Sequence, residues 1–253
     1  MTLPQFNQLV AEIGDAILAG LRPQPASAPV SRREIAQMID HTLLRPEATA
    51  ADVRRLCAEA RDHGFFSVCV NPVRAALCAA ELRGSPVVVC TVAGFPLGAS
   101  ATETKLAEAE IGLRVGAAEI DMVLDIGALK DGNHARVRSD IAALARLCHG
   151  AGARLKVIIE CCLLTDEEKE TACRIAVDAG AHFVKTSTGF GAGGAAVADV
   201  RLMRRVVGPQ IGVKASGGIR TLDDLLAMKA AGASRIGTSA GVAIAVAAGG
   251  ARV

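Results

Sequence analysis

The 253-residue chain predicts an α/β fold, a single-domain (β/α)8 barrel of the TIM type carrying an N-terminal helical extension. Three observations predict it. A glycine stands directly before a strand-like run at Gly64, Gly116, Gly152, Gly180 and Gly232, in HGFFSVCV, VGAAEIDMV, AGARLKVIIE, AGAHFVKTS and AGASRIGTS. There a helix can close in a left-handed residue and hand the chain to a strand. Further strands at Met38 to Thr42, Val87 to Val92 and Ile211 to Lys214 bring the number to eight, with starts roughly 22 to 36 residues apart, the length of a βα unit. The first strand runs into MIDHTLLRPEAT, which holds no glycine. The alternative, an open doubly wound sheet, would carry a glycine-rich dinucleotide loop at that point.

In chain order, residues 1 to 30 come first. Leu3, Phe6, Leu9, Val10, Ile13 and Ile17 recur at helical spacing, and RPQPASAPVSR follows with three prolines among small residues. This reads as a helix and a Pro-rich linker appended to a barrel domain of residues 31 to 253. Capping boxes then mark helix starts: Ser31-x-x-Glu34, Thr49-x-x-Asp52, Ser100-x-x-Glu103, Thr165-x-x-Glu168 and Thr221-x-x-Asp224 each pair a hydroxyl with an acid three residues on. Val137, Ile141, Leu144 and Cys148 show the apolar helix face best.

Composition removes several function classes. With 28 basic and 26 acidic residues the net charge is +2, so there is no electrostatic case for nucleic acid or a membrane surface as partner. Six Phe with no Trp or Tyr provide no stacking platform for single strands. Hydrophobic residues at 51% against 21% charged exclude a disordered chain. The longest uncharged stretch, Gly84 to Thr102, contains Pro86, Gly94, Pro96 and Gly98 and reads as a strand plus loop rather than a membrane span. The first residues lack a basic n-region and carry Glu12 and Asp15, so no secretory signal is expected and the location expected is cytoplasmic. Eight cysteines occur without a C-x-x-C pair, the pattern of reduced, buried thiols; no metal and no cofactor is expected.

Strands of a parallel barrel are buried on both faces, so a charge inside one needs a reason. Asp121 and Asp125 in EIDMVLD, Lys156 and Glu160 in LKVIIE, Lys185 in FVKTST and Lys214 in GVKASGG put charges on four consecutive strands. A structural ion network filling the barrel accounts for Lys156 and Glu160. Lys185 and Lys214 differ, because STG and ASGG follow them and place them near the C-terminal mouth, where barrel enzymes work. Two adjacent lysines repel, and repulsion with desolvation can bring one amine's pKa to about 7 to 8, a free nucleophile for carbonyl carbons. The residues alone leave open which lysine that is. Asp121 is the candidate acid/base.

Ser187-Thr188-Gly189, Ser216-Gly217-Gly218 and Gly237-Thr238-Ser239 present N–H groups and hydroxyls after strands six, seven and eight, where barrels bind phosphate. A small phosphorylated carbonyl compound is the substrate they predict. His41 lies beside Asp40 at the end of the first strand and could line the mouth, though a lone histidine there more often serves as a hydrogen-bonded structural residue; Cys69 ends the second strand and is a candidate to face the mouth.

The segments IDHTLLRPEAT, VCVNP, GFPLG, EIDMVLDIGALKDG, LKVIIECCLLTDEEK, FVKTSTGFG, GVKASGGIRT and RIGTSAGV resemble, in order and spacing, the pattern of the deoxyribose-phosphate aldolase family. The resemblance implies a class I aldolase that reversibly cleaves 2-deoxyribose 5-phosphate to glyceraldehyde 3-phosphate and acetaldehyde. It implies Lys185 as the Schiff-base lysine, Lys214 as its pKa-lowering neighbour, Asp121 as acid/base with a water, and Asp40 as the acid supporting that network. It places phosphate contacts at Gly189, Gly217, Gly218 and Ser239, and the loop reading adds Gly237 to them. Ala240 stands where many members have a second serine and Phe190 where some have a lysine. With no tyrosine in the chain, the tyrosine-assisted proton transfer of some relatives falls to Asp121 and water. A homodimer or larger homo-oligomer fits the same resemblance. The alternatives are another phosphate-binding Schiff-base lyase, a sugar-phosphate isomerase, a metal-dependent aldolase and a non-catalytic phosphosugar binder.

Overall fold

The computed structural model describes residues 30–250; the helix and linker expected before them lie outside the described residues. The order is α1 (Arg32–Met38), β1 (Ile39–Leu43), α2 (Ala50–His63), β2 (Ser67–Val70), α3 (Pro72–Glu81), β3 (Val88–Ala93), α4 (Thr102–Arg114) and β4 (Ala117–Val123). It continues with α5 (Ile126–Lys130), α6 (His134–Gly150), β5 (Arg154–Ile158), a 3-10 turn (Cys161–Leu163), α7 (Asp166–Asp178) and β6 (Phe183–Lys185). α8 (Val197–Val207), β7 (Gly212–Ser216), α9 (Leu222–Ala230), β8 (Arg235–Thr238) and α10 (Gly241–Gly250) complete it. The strands close in sequence order, β1 to β8 and back to β1, with every neighbour parallel. This is the expected single-domain (β/α)8 barrel.

The anticipated punctuation explains the helix ends. Gly64 closes α2 in the left-handed region at φ 68°, its N–H reaching the carbonyls of Ala60 and Arg61. Positive φ recurs at Gly116, Gly152, Gly180 and Gly232. Thr49, Thr165 and Thr221 form complete capping boxes with Asp52, Glu168 and Asp224. Ser100 does not: α4 starts at Thr102, with Ala101 at the cap position and no side-chain cap bond. Pro96 and the turn around Gly98 precede it, and the loop delivers the chain to its helix one residue later than the box requires. Strand limits also move slightly, β1 starting at Ile39 and β7 at Gly212.

Strand alternation divides the side chains into two populations. Ile120 and Met122 flank Asp121, Leu155 and Val157 flank Lys156, and Val213 and Ala215 flank Lys214, all fully buried. The apolar members face the helices and the charged ones face the barrel axis. Asp125 and Glu160 belong to neither. Asp125 lies beyond β4 and caps α5, accepting a hydrogen bond from Ala128 N at 3.0 Å and pairing with Arg136 at 2.8 Å. Glu160 lies beyond β5, outside the ion network anticipated for it.

Replacing Thr165 by Ala removes a hydroxyl that accepts from Glu168 N at 3.3 Å and uncouples the reciprocal 2.8 Å bond from Thr165 N to Glu168. The expected loss is about 1 kcal/mol, read as a lowered urea midpoint at unchanged m-value.

Candidate active site

Parallel register brings the inward charges into layers. Lys185 on β6 is the Cα partner of Lys214 on β7, and Lys214 that of Arg235 on β8. Asp121 on β4 is paired with Lys156 on β5. Asp121 is the meeting point: its Oδ2 accepts from Lys185 Nζ at 2.9 Å and from Lys214 Nζ at 2.8 Å, and its Oδ1 accepts from Lys156 Nζ at 2.7 Å and from the Cys90 thiol at 3.1 Å. The two lysines singled out in the sequence therefore point into the same end of the barrel and share one carboxylate oxygen. The repulsion foreseen between them is mediated by that oxygen.

A deeper layer continues the network. Asp40 Oδ2 stands 2.5 Å from Lys214 Nζ, an ion pair by distance whose geometry is not that of a hydrogen bond, and Asp40 Oδ1 accepts from Arg235 at 2.8 Å. Arg235 also donates to Glu119 Oε2 at 3.0 Å, and Lys156 Nζ lies 2.6 Å from the same oxygen. Burial opposes ionisation of Asp121, but Lys156, Lys185 and Lys214 outweigh it and hold its carboxyl well below the usual range. Asp40 is lowered in the same way: burial is overridden by Lys214, Arg235 and Lys156. Burial works against the charge on Lys214 and on Lys156, yet Asp121 with Asp40 raises the first, and Asp121 with Glu119 helps raise the second.

Above Lys185 a cavity of about 420 Å³ opens at the C-terminal ends of the strands. Its lining includes all five residues expected to hold phosphate: Gly189, Gly217, Gly218, Gly237 and Ser239. Gly189, Gly217 and Gly218 have φ of 86°, 87° and 82°, values that side chains disfavour. The two loops interlock, since Ala195 N donates to Gly217 O at 3.0 Å and a Cβ on Gly194 would lie 2.3 Å from that oxygen. Glu160 secures the first loop from behind, accepting from Thr188 Oγ1 at 2.5 Å and Thr188 N at 3.2 Å. Its own φ of 55° is the one positive value among described non-glycine residues, local strain of the kind found near working sites.

Other sequence candidates fall elsewhere. His41 turns outward, Nε2 lying 2.7 Å from Glu59 on α2 and its ring against Phe65. Cys69 is fully buried with Leu44, Cys90 and Val92 and does not open onto the cavity. The Sγ atoms of Cys69 and Cys90 and an Asp121 oxygen lie within 4.8 Å of one another, a donor set of interest for a cation. Lys156 Nζ, donating to Cys90 Sγ at 3.2 Å, and three ammonium groups on Asp121 oppose a cation there. The sequence reading missed Glu119 and Arg235, together with Arg45 and Arg220, which also line the cavity. For the first two a signal existed: both sit two residues before an inward position, Asp121 and Gly237, in the alternation that singles out the lysines.

Three comparisons bear on what this site serves. A family profile described as DeoC/LacD family aldolase matches residues 34–247. The deoxyribose-phosphate aldolase of Thermococcus kodakarensis is 57% identical over 217 residues, 85% of this chain and 97% of that one. The corresponding protein of a Geobacillus species is 58% identical over 210 residues, 83% and 94% of the two chains. Among solved structures, the deoxyribose phosphate aldolase of Aeropyrum pernix, described as tetrameric, matches with a TM-score of 0.82 at 34% identity, over 89% of this chain and 99% of that one. These matches, on this fold and above this cluster, put the chain among the aldolases, carbon–carbon lyases built on a (β/α)8 barrel. Within that class it belongs to the DeoC/LacD family. No helix among the described residues is long and apolar enough to cross a membrane.

The shifts fix how stability depends on pH. Asp40 and Asp121 have lowered values, so their contribution is complete above the ordinary 3.8 and is lost as pH falls below it toward the folded values. Lys156 and Lys214 are raised, so theirs is complete below 10.5 and is lost only as pH rises past it. Asp121→Asn leaves buried ammonium groups short of a counter-charge and is expected to cost about 3–5 kcal/mol at pH 7. In thermal melts that deficit shrinks as pH falls below 3.8 toward the lowered folded value, because the unfolded parent takes up a proton at Asp121 while the folded parent still holds the charge.

Proposed function

We propose that this aldolase reversibly cleaves 2-deoxyribose 5-phosphate to glyceraldehyde 3-phosphate and acetaldehyde through a Schiff base on Lys185, with Lys214, Asp121 and Asp40 as its supporting machinery. The observation that carries the reading is a pair of lysines on one Asp121 oxygen at the floor of a cavity rimmed by glycine loops. The names of the relatives agree with it. A small metabolic enzyme whose eight cysteines are all free, seven of them buried, suits the cytoplasm, and the tetrameric relative makes a homo-oligomer the expected assembly.

Charge balance supports the choice of lysine. The interior holds four cations, Lys156, Lys185, Lys214 and Arg235, against three carboxylates, Asp40, Glu119 and Asp121. One uncharged amine brings the cluster to neutrality. Lys156 lies within 4.0 Å of all three carboxylates, Lys214 of two and Lys185 of Asp121 alone. Of these lysines only Lys185 lines the cavity, so the amine that meets substrate is also the one with least to lose by shedding its proton.

In this mechanism Lys185 Nζ adds to the C1 aldehyde of the open-chain sugar, and loss of water leaves a protonated imine. Asp121, kept ionised by its lysines, takes the C3 hydroxyl proton through a water. The C2–C3 bonding electrons flow into the imine, releasing glyceraldehyde 3-phosphate and leaving an enamine. Protonation at C2 and hydrolysis return acetaldehyde and the free lysine. The phosphate sits against N–H groups of the 189, 217–218 and 237–239 loops, ahead of the N-terminus of α10, with Arg45 and Arg220 on the same wall adding positive charge. Ala240 N is already bonded to Thr238 Oγ1 at 3.0 Å, so Ser239 supplies the hydroxyl at this end.

Borohydride reduction in the presence of acetaldehyde is expected to fix a two-carbon adduct on Lys185 in a peptide map; an adduct on Lys214 would reverse the two roles. Lys185→Leu should abolish cleavage in a coupled glyceraldehyde 3-phosphate assay while remaining folded, because Asp121 keeps Lys156 and Lys214. Retained aldehyde exchange without triose phosphate release would turn the reading to a different Schiff-base lyase.

Gly194→Ala drives a methyl group against Gly217 O and separates the two phosphate loops. KM for the phosphorylated sugar is expected to rise about tenfold, the equivalent of about 1.4 kcal/mol of lost phosphate contact. The kcat with unphosphorylated deoxyribose should move far less, since Lys185 lies below the displaced loops.

A further inference from the structure

Arg235, like Glu119 and Lys156, is a member of the interior cluster that does not line the cavity and has no place in the mechanism above. It is 4% exposed and absent from the cavity lining. Its guanidinium lies 3.5 Å from the Phe66 ring centroid and 5.3 Å from that of Phe183, and it bonds Asp40 Oδ1 at 2.8 Å and Glu119 Oε2 at 3.0 Å. Neither acid needs it as a partner, for Asp40 has Lys214 at 2.5 Å and Glu119 has Lys156 at 2.6 Å. A buried cation stacked on two rings carries a desolvation cost that an apolar side chain of similar volume would avoid. What it adds is a fourth positive charge facing three negative ones, and a guanidinium cannot relieve that surplus by releasing its own proton.

We propose that Arg235 is a positioning residue for the lysine chemistry: by occupying Asp40 and Glu119 from below it makes the barrel interior one cation too many, so that the Schiff-base amine at the mouth is held uncharged. The inference rests on the Schiff-base reading and deepens it. The surplus is relayed along ion pairs already described. Arg235 takes one oxygen of Asp40, leaving the other to Lys214, and shares an oxygen of Glu119 with Lys156. Lys214 and Lys156 in turn hold Asp121. The proton is then shed at Lys185, the ammonium with the fewest carboxylate neighbours.

The groups around Lys185 come from several elements: Asp121 from β4 pairs with it, Lys214 is its register partner on β7 and the Cys69 thiol of β2 feels its charge, while Lys156 from β5 and the Cys90 thiol from β3 share Asp121 and Asp40 from β1 holds Lys214. Arg45 and Arg220 share the cavity of Lys185, and Glu160 reaches the Thr188 loop beside it. Arg235 faces Asp40, Glu119, Lys156 and Lys214, with Arg154 and His182 beyond Glu119. Changes confined to Arg235 and Glu119 leave all the other groups in place.

The test is a charge series read by the acid limb of the kcat/KM profile for 2-deoxyribose 5-phosphate cleavage, and by the pH dependence of cyanoborohydride trapping of acetaldehyde on Lys185. Arg235→Met leaves three cations against three anions, so the amine keeps its proton longer and the limb moves to higher pH. A unit charge about 10 Å away at an effective dielectric of about 20 predicts about one pH unit. Glu119→Gln enlarges the surplus and moves the limb to lower pH. The double variant restores the parental surplus and brings the limb back. Arg235→Lys keeps the charge while losing the fork and the ring stacking, and leaves the limb in place. A purely structural Arg235 would lower kcat or the melting temperature throughout without opposed shifts, and that result, or shifts of the same sign in the two single variants, overturns the proposal. Should Arg235→Met not fold, Glu119→Gln and Arg235→Lys still decide it. Failure of the parent protein to form any Lys185 adduct would instead remove the Schiff-base reading itself.

Discussion

One carboxylate, Asp121, organises the inside of this barrel. Three ammonium groups from β5, β6 and β7 converge on its two oxygens at 2.7 to 2.9 Å. The strands that carry them are consecutive, so a single residue ties half the barrel wall together through side chains that elsewhere would be a layer of Val and Leu. Such an interior is expensive to desolvate and holds only while every charge keeps a partner. It also explains why the aliphatic content of the chain goes to the outer faces of the strands. Ile120, Met122, Leu155, Val157, Val184 and Val213 are buried under the helices, so the hydrophobic core is a shell around a polar axis.

The two halves of the site are built by opposite means. The lower half is made of long charged side chains whose positions are fixed by one another. The upper half is backbone, shaped by glycines in positive φ and by close contact between the 189–195 and 217–218 loops. Glu160 joins them. It leaves β5, strand of Lys156, in a strained conformation and fastens Thr188, three residues beyond Lys185. A displacement of either loop is thereby coupled to the strand ends that aim the amines.

The fold was legible because its signals are local. A glycine at a helix end and a hydroxyl three residues ahead of an acid act within one turn of backbone, and all five such glycines and three of the capping boxes could be read without knowing any tertiary neighbour. Ser100 shows the limit, since the loop before α4 set the helix start one residue late. The site was legible where charge interrupts an apolar strand, as at Asp121, Lys185 and Lys214. It was not legible where two readings share one pattern: Asp125 and Glu160 follow strands closely enough to look like members of them, and only the course of the chain makes one a helix cap and the other a loop clamp. Arg235 stood at an inward-facing step of the alternation, but its partners were hidden for a different reason. Asp40 and Glu119 are 195 and 116 residues away along the chain, joined to Arg235 only by closure of the barrel.

Closure is therefore as much a chemical event as a topological one. Until β8 pairs with β1, Arg235 and Asp40 have no reason to meet, and the lysines of β5 to β7 face carboxylates from one side only. Once the ring is complete, water is excluded from its lower half and the charges there interact with little screening. The lower charges lie outside the cavity lining, and the mouth is left with a solvent-facing cavity onto which Lys185 opens. A barrel with an apolar interior would be easier to stabilise, but it could not transmit the charge of a residue at one end to the protonation of a residue at the other. Burying seven ionisable groups gives up stability and leaves Lys185 as the lysine of the cluster that opens onto the cavity.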